Sequence, residues 1–335
     1  MKHILISDPT LRDGSHAVAH QISAAQIAAY AAAADKAGVP IVEVGHGNGL
    51  GASSMQVGLS LEDDVIMLET ARKNLSKSKL GIHVIPGFAT IKRDLIRALD
   101  IGVDVVRVAS HCTEADITQR HLGFVRERGK EAYGVLMMSH MAPASVLVEE
   151  AQKMELYGAE GIIIMDSAGA YLPSDVIEKI TALVDALKVP VGFHAHNNLG
   201  MATANSVAAI ESGAKILDGT ARGFGAGAGN AQLEVLVAVL DRMGYFTGID
   251  FYKMLDASDI AEKELIPAIP VIRSESIVSG LSGVFSGFSK HVSRISKEYQ
   301  VDPRDVWTEL GKRKVVGGQE DIIIEVVMDL VRRKK

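Results

Sequence analysis

The 335-residue chain is poor in the residues that usually staple or kink a fold. It has one cysteine, nine prolines, one tryptophan and 5% aromatic residues in all. A lone thiol, Cys112, rules out an intrachain disulfide and fits a reducing compartment. No apolar run approaches the ~20 residues that a membrane-spanning helix needs. The apolar stretch in MKHILISDPTLRDG is too short for a signal-peptide core, so a soluble cytoplasmic protein is expected. Positive charge is not in excess. Lys and Arg number 35 against 41 Asp and Glu, a net charge of −6 that gives no support for a nucleic-acid surface. No Gly-Lys-Ser/Thr ending marks a phosphate-binding P-loop. What is present, 47% hydrophobic and 23% charged residues, is ordinary for a globular protein with a large core. The length exceeds the ~250 residues of a single α/β barrel, which leaves room for an extra segment.

Short β-branched runs alternate with longer helical patterns, the signature of repeated βα units and a parallel sheet. Strands are expected at residues 4–8, 41–45, 80–86, 104–110, 133–139, 161–166, 191–196 and 215–220. Helical patterns lie between them, among them SAAQIAAYAAAADKAG (23–38) and PSDVIEKITALVDAL (173–187). The second opens with residues suited to a helix N-terminus. Eight such units, ending near Met243, predict a closed (β/α)₈ TIM barrel in preference to a doubly wound open sheet. From about Tyr252 the strands stop. The expected organisation is a barrel over 1–250 and a helical C-terminal segment over 251–335 that contacts a partner or another copy. The chain end reads as a loop followed by one amphipathic helix, its Arg-Arg-Lys-Lys suiting the negative end of the helix dipole.

Barrel enzymes carry their active sites at the C-terminal ends of the strands, and the reactive residues gather there. Strand 1 is followed by Asp8, Arg12, Asp13 and His16. Strand 2 contains Glu43 and leads to His46, strand 4 leads to His111, and strand 5 to His140. Strand 6 ends in Asp166 and Ser167, strand 7 in His194 and His196. Side chains two apart on a strand point the same way, so His194 and His196 can both enter the barrel mouth. Two neutral imidazoles and a carboxylate, for which Asp13 is the choice, make a divalent-metal site with open positions. Mixed oxygen and nitrogen ligation suits Mn²⁺ or Mg²⁺, with Zn²⁺, Co²⁺ and Fe²⁺ also compatible. The glycine-rich GFGAGAGN (223–230) reads as tight packing that closes the barrel, with a phosphate cradle as the alternative. Cys112 reads as a buried wall residue.

At SDPTLRDGSHAVAHQ (7–21) and GFHAHNNLG (192–200) the sequence resembles the metal-dependent pyruvate aldolases, in particular the 4-hydroxy-2-oxovalerate aldolase family. VEVGHGNGLGASS (42–54), VRVASHCTEAD (106–116), LMMSHMAP (136–143), GAGAGNAQLEV (225–235) and VGGQEDIIIEV (316–326) extend the likeness over essentially the whole chain. Arg-Asp-Gly marks a wider group of barrel metallolyases. Ser15-His16 points to the aldolase branch, since the acyl-CoA-dependent condensing enzymes usually have Glu-Gln there.

The resemblance implies that Asp13, His194 and His196 hold the metal and that Arg12 stabilises an enolate oxygen. It implies that His16 takes the proton of the C4 hydroxyl, with Ser167 and Phe285 among the residues near the substrate and Glu43 near the site. The implied reaction cleaves 4-hydroxy-2-oxopentanoate to pyruvate and acetaldehyde. The implied partner is an acylating acetaldehyde dehydrogenase, in a homo- or hetero-oligomer.

Two positions depart from the family. Phe285 stands where a tyrosine is usual, and His83 where an apolar residue is usual. Both bear on which aldehyde is released and on stereochemistry at C4, so a variant aldolase for longer or more polar aldehydes is the main alternative. A condensing enzyme and a non-catalytic subunit are weaker ones. The first would show Glu-Gln after Arg-Asp-Gly and the second a broken metal site, and this sequence shows neither.

Overall fold

The computed structural model describes residues 2–333. Eight parallel strands close into a barrel: β1 (Leu5–Leu11), β2 (Ile41–Val44), β3 (Lys79–Val84), β4 (Val105–His111), β5 (Glu131–Met137), β6 (Ile162–Asp166), β7 (Val191–Ala195) and β8 (Ile216–Asp218). Closure is made by β1 pairing with β8, with Ile6 opposite Leu217 and Ser7 opposite Asp218. The β1–β2 register shifts between Asp8 and Leu11. This irregularity carries the chain over the barrel mouth, where Arg12 and the short 3₁₀ turn Asp13–Val18 follow.

Alternation divides the side chains. Ile41, Val105, Ala109, Tyr133, Val135, Ile163, Met165 and Ile216 fill the interior. The opposite parity packs outward against the helices, with Val42, Leu80, Val106, Val108 and Ile164 in the larger core. Arg107 shares the inward parity of Val105 and Ala109 yet is 1% exposed. A guanidinium at that depth needs carboxylate partners.

The surrounding ring is α1 (Ala24–Ala37), α2 (Asp64–Asn74), α3 (Ile96–Ile101), α4 (Gln119–Glu127), α5 (Ala144–Leu156), α6 (Pro173–Ala186), α7 (Ala202–Glu211) and α8 (Leu233–Arg242). Local sequence explains the ends. Ser23 and Gln26 form a capping box on α1, and Asp63 accepts the Ile66 N–H at the start of α2. Among the described residues, no helix is long and apolar enough to cross a membrane.

The C-terminal part is helical: α9 (Phe251–Glu264), α10 (Ser274–Ser282), α11 (Ser289–Tyr299), α12 (Pro303–Lys312) and α13 (Ile322–Arg333). Packing divides the chain further on than the loss of strand rhythm does. Met254, Ala257 and Ala261 of α9 belong to the barrel's outer core. Helices α10 to α13 enclose a second core built on Val284, Phe288, Val292, Val306, Trp307, Leu310, Ile323 and Val327. Of the four basic residues ending the sequence, Arg332 and Arg333 close α13, and Lys334 and Lys335 lie outside the described residues.

Trp307 is 1% exposed at the centre of this second core. Trp307→Ala is expected to cost about 3–5 kcal/mol, concentrated in α10–α13. Native-state hydrogen exchange checks this, and unchanged protection in those helices would contradict it.

Candidate active site

The turn after β1 and the end of β7 bring three ligand-bearing side chains together. Asp13, His194 and His196 each offer one donor atom, all within 4.8 Å of one another and all buried. The two Nε2 atoms are 3.4 Å apart. His194 is oriented from behind: its Nδ1–H donates to Asp218 Oδ2 at 2.8 Å. That fixes the proton on Nδ1 and leaves the Nε2 lone pair facing His196. Asp13 is fixed as firmly, its Oδ1 accepting from Arg12 Nη1 at 2.8 Å and its Oδ2 from Asn230 Nδ2 at 2.6 Å. A carboxylate and two converging imidazole nitrogens suit a divalent cation of the Mn²⁺, Mg²⁺ or Zn²⁺ type.

Electrostatics agree with that donor set. Burial alone would raise the Asp13 carboxyl, but His196, Arg12, His194 and His16 reverse it and hold it well below the usual range. Burial pushes His196 down to about 4, so it is a neutral imidazole at pH 7.

Arg12 is 3% exposed and stretched between two carboxylates, with Nε donating to Glu43 Oε1 at 2.6 Å and Nη1 to Asp13. Its buried Nη2 has no hydrogen-bond partner among the described residues. Such a donor is costly to leave unmet and is suited to an anionic oxygen. His16 stands beside these groups, 9% exposed. Burial lowers it to about 3, opposed by Asp13, so its ring is neutral at pH 7. Gly47 makes room for it: a Cβ there would lie 2.5 Å from the His16 ring. Phe285 meets that ring edge-on at 6.0 Å, bringing the C-terminal segment to the site.

The loop carrying Phe285 is tied to the barrel at several points. His140 Nε2–H donates to Gly283 O at 2.8 Å, and Ser286 N–H to Ser167 O at 3.1 Å. Asn198 Nδ2 donates to Ser286 Oγ at 2.8 Å and Ala168 O at 2.9 Å, while its Oδ1 accepts from Ala228 N at 2.9 Å. The Ser167 hydroxyl accepts from Met138 N at 3.0 Å. Residues 223–230 pack directly on Asp13, since a Cβ on Gly225 would lie 2.5 Å from Asp13 Oδ2 and would collide with Asn230 Nδ2.

Other residues at the strand ends have partners elsewhere. Asp8 accepts from Tyr30 Oη at 2.6 Å and from Thr10, and burial raises it to about 6. Asp166 accepts from Ala170 N and Tyr171 N. His46 stacks on His20 at 3.6 Å and donates from Nε2 to Gly58 O. His111 bonds to the Thr113 hydroxyl. Cys112 is fully buried, its thiol pushed up to about 11 by burial. His83 lies in the interior beside Arg12 and Glu43, 2% exposed, with Nδ1 unpartnered among the described residues. Arg107, Asp218 and Asn230, absent from the sequence reading, prove to be the supports of the site.

The HMGL-like family model matches residues 3–261, and the DmpG-like communication domain model matches residues 270–332. The 4-hydroxy-2-oxovalerate aldolase of Spirochaeta aurantia is 65% identical over 98% of this chain and 97% of its own. That of Pectobacterium atrosepticum is 64% identical over 100% and 97%. Among solved structures, the N-terminal domain of a putative aldolase from Bacteroides vulgatus superposes with a TM-score of 0.74 at 23% identity, covering 90% of this chain and 98% of that one. The carboxyl transferase domain of Rhizobium etli pyruvate carboxylase gives 0.82 at 18% identity, covering 99% and 61%. At these identities the structural likeness concerns the fold.

Gly225→Ala is expected to displace Asp13 and Asn230 and to weaken Mn²⁺ binding by about tenfold or more, with the circular-dichroism spectrum retained. Titration of the metal-free protein measures it. Parent affinity would show that the loop yields to the added methyl.

Proposed function

The chain belongs to the HMGL-like family and, within it, to the 4-hydroxy-2-oxovalerate aldolases, and on that premise we propose that it cleaves 4-hydroxy-2-oxopentanoate to pyruvate and acetaldehyde. It is a carbon–carbon lyase. The observation that carries the reading is the unpartnered Nη2 of Arg12, buried beside the Asp13, His194 and His196 cluster. A 2-oxo acid has the matching chemistry: adjacent carboxylate and keto oxygens to chelate a cation, and a keto oxygen that becomes anionic on cleavage.

Asp13, His194 and His196 would hold the metal, for which we favour Mn²⁺. When bound, the ion supplies Lewis acidity at the 2-oxo group. His16, neutral at pH 7, takes the C4 hydroxyl proton. The O–H bonding pair left on the C4 oxygen then forms the aldehyde carbonyl, the C3–C4 bonding pair becomes the enolate C2=C3 bond, and the former C2=O π pair comes to rest on the enolate oxygen. Arg12 donates to the enolate oxygen as its charge develops. Atoms balance when the proton lost from the C4 hydroxyl replaces the carbon lost at C3. Phe285 gives the proton acceptor an apolar wall and no hydroxyl.

Charge supports the same reading. Asp13, Glu43 and Asp218 are three buried carboxylates against the two guanidiniums of Arg12 and Arg107. A divalent cation and one substrate carboxylate together bring that set to neutrality, as a desolvated site requires.

A second reading concerns the aldehyde. The unpartnered Nδ1 of His83 favours a polar aldehyde over acetaldehyde. We also place the docking of an acylating acetaldehyde dehydrogenase on α10–α13, the stretch matched by the communication-domain model. The association state, homo- or hetero-oligomeric, goes with that docking.

Pyruvate release from racemic 4-hydroxy-2-oxo acids of increasing length and polarity tests the reaction. It should vanish on metal removal and return with Mn²⁺; no pyruvate from any substrate with Mn²⁺ bound would refute it. His16→Asn should lower kcat by ~10²–10⁴-fold and keep the parent Mn²⁺ affinity. Phe285→Tyr should change the ratio of C4 enantiomers consumed, which chiral analysis of the residual substrate measures. In a comparison of aldehyde products, His83→Leu should lose any preference for polar over alkyl chains.

A further inference from the structure

Arg107 touches none of the three ligand residues, yet both arms of the site pass through it. Its Nη2 donates to Asp218 Oδ2 at 2.7 Å, the same oxygen that receives His194 Nδ1–H. Its Nη1 donates to Glu43 Oε2 at 3.3 Å, while the other oxygen of Glu43 receives Arg12 Nε. The Ser7 hydroxyl lies 3.4 Å from Nη1, while the buried Nε has no partner among the described residues. Glu43 and Asp218 are 0% and 2% exposed. Among the described residues, Arg107 is the one cation bound to both.

We propose that Arg107 is a positioning residue that fixes His194 and Arg12 in one shared geometry by bridging Asp218 and Glu43. This rests on the roles assigned above to His194 and Arg12. The planar fork of an arginine suits the task, because it presents separate N–H groups to two carboxylates at a set angle. Without it, two buried carboxylates share the barrel interior with no cation between them and turn away from each other. Asp218 then no longer holds the His194 ring square to its neighbour, and Glu43 no longer holds Arg12 extended. One substitution far from the reacting atoms therefore loosens ion binding and transition-state stabilisation together.

The test compares Mn²⁺ affinity, measured by titration, with kcat and KM at saturating Mn²⁺ in the full-length protein. Asp218→Asn should lose more Mn²⁺ affinity, about 10–100-fold, than kcat. Glu43→Gln should lose more kcat than affinity. Arg107→Met should lose both, beyond any loss of folded fraction seen by circular dichroism. Arg107→Lys, which keeps the charge and reaches one carboxylate at a time, should recover one readout more fully than the other. A folded Arg107→Met protein at parent affinity and parent kcat overturns the proposal. If Arg107→Met fails to fold, Arg107→Lys decides: parent values in both readouts, or equal losses in both, overturn it. The affinity arm needs no substrate, so it stands or falls separately from the assigned reaction.

Discussion

A carboxylate sealed from water must have a partner, and in this barrel that requirement organises the site. Asp218 Oδ2 receives hydrogen bonds from both Arg107 and His194. From that oxygen a continuous path runs through Arg107, Glu43 and Arg12 to Asp13. It joins β8, β4, β2 and the turn after β1 across the barrel interior, β4 and β8 standing four places apart in the closed order. Unpaired, any one of these charges would cost several kcal/mol. The geometry of the mouth is thus coupled to closure of the sheet itself, which fixes Asp13, His194 and His196 relative to one another.

Much of the fold was legible because it rests on local periodicity. Seven of the eight expected strands lie within two residues of those found, the first runs three residues further, to Leu11, and the helical patterns between them became the outer ring. The His194/His196 pair was legible because alternation fixes which side chains share a face. Asp13 was legible from its place just past the first strand, and the structure brings it to the pair.

Other features could not be read locally. Asp218 is paired with Arg107, 111 residues earlier, and nothing in sequence spacing joins them. A signal existed, since an arginine within the apolar run VVRVAS implies a buried carboxylate partner, but not which one. Placement at strand ends also gathers more residues than it should. Asp8, His46, His111, His140 and Asp166 all sit there, and each is engaged in loop or helix support. Direction within a loop decides that, and periodicity does not encode it. The loss of strands near residue 251 was visible. That α9 packs with the barrel and a separate core begins at α10 is a matter of tertiary contact.

The loop at Gly283–Ser286 belongs to one core and walls the site of another. Asn198, Ser167 and His140 hold it down by a few hydrogen bonds, while its flanking helices are stabilised by the Trp307 cluster. Opening of this wall and unfolding of the barrel can therefore be separate events. Loosening of the small helical core would take Phe285 away from His16 while Asp13, His194 and His196 keep their places on the barrel. The chain's single tryptophan, Trp307, lies in that small core, so its fluorescence reports on the wall beside His16 and not on the barrel.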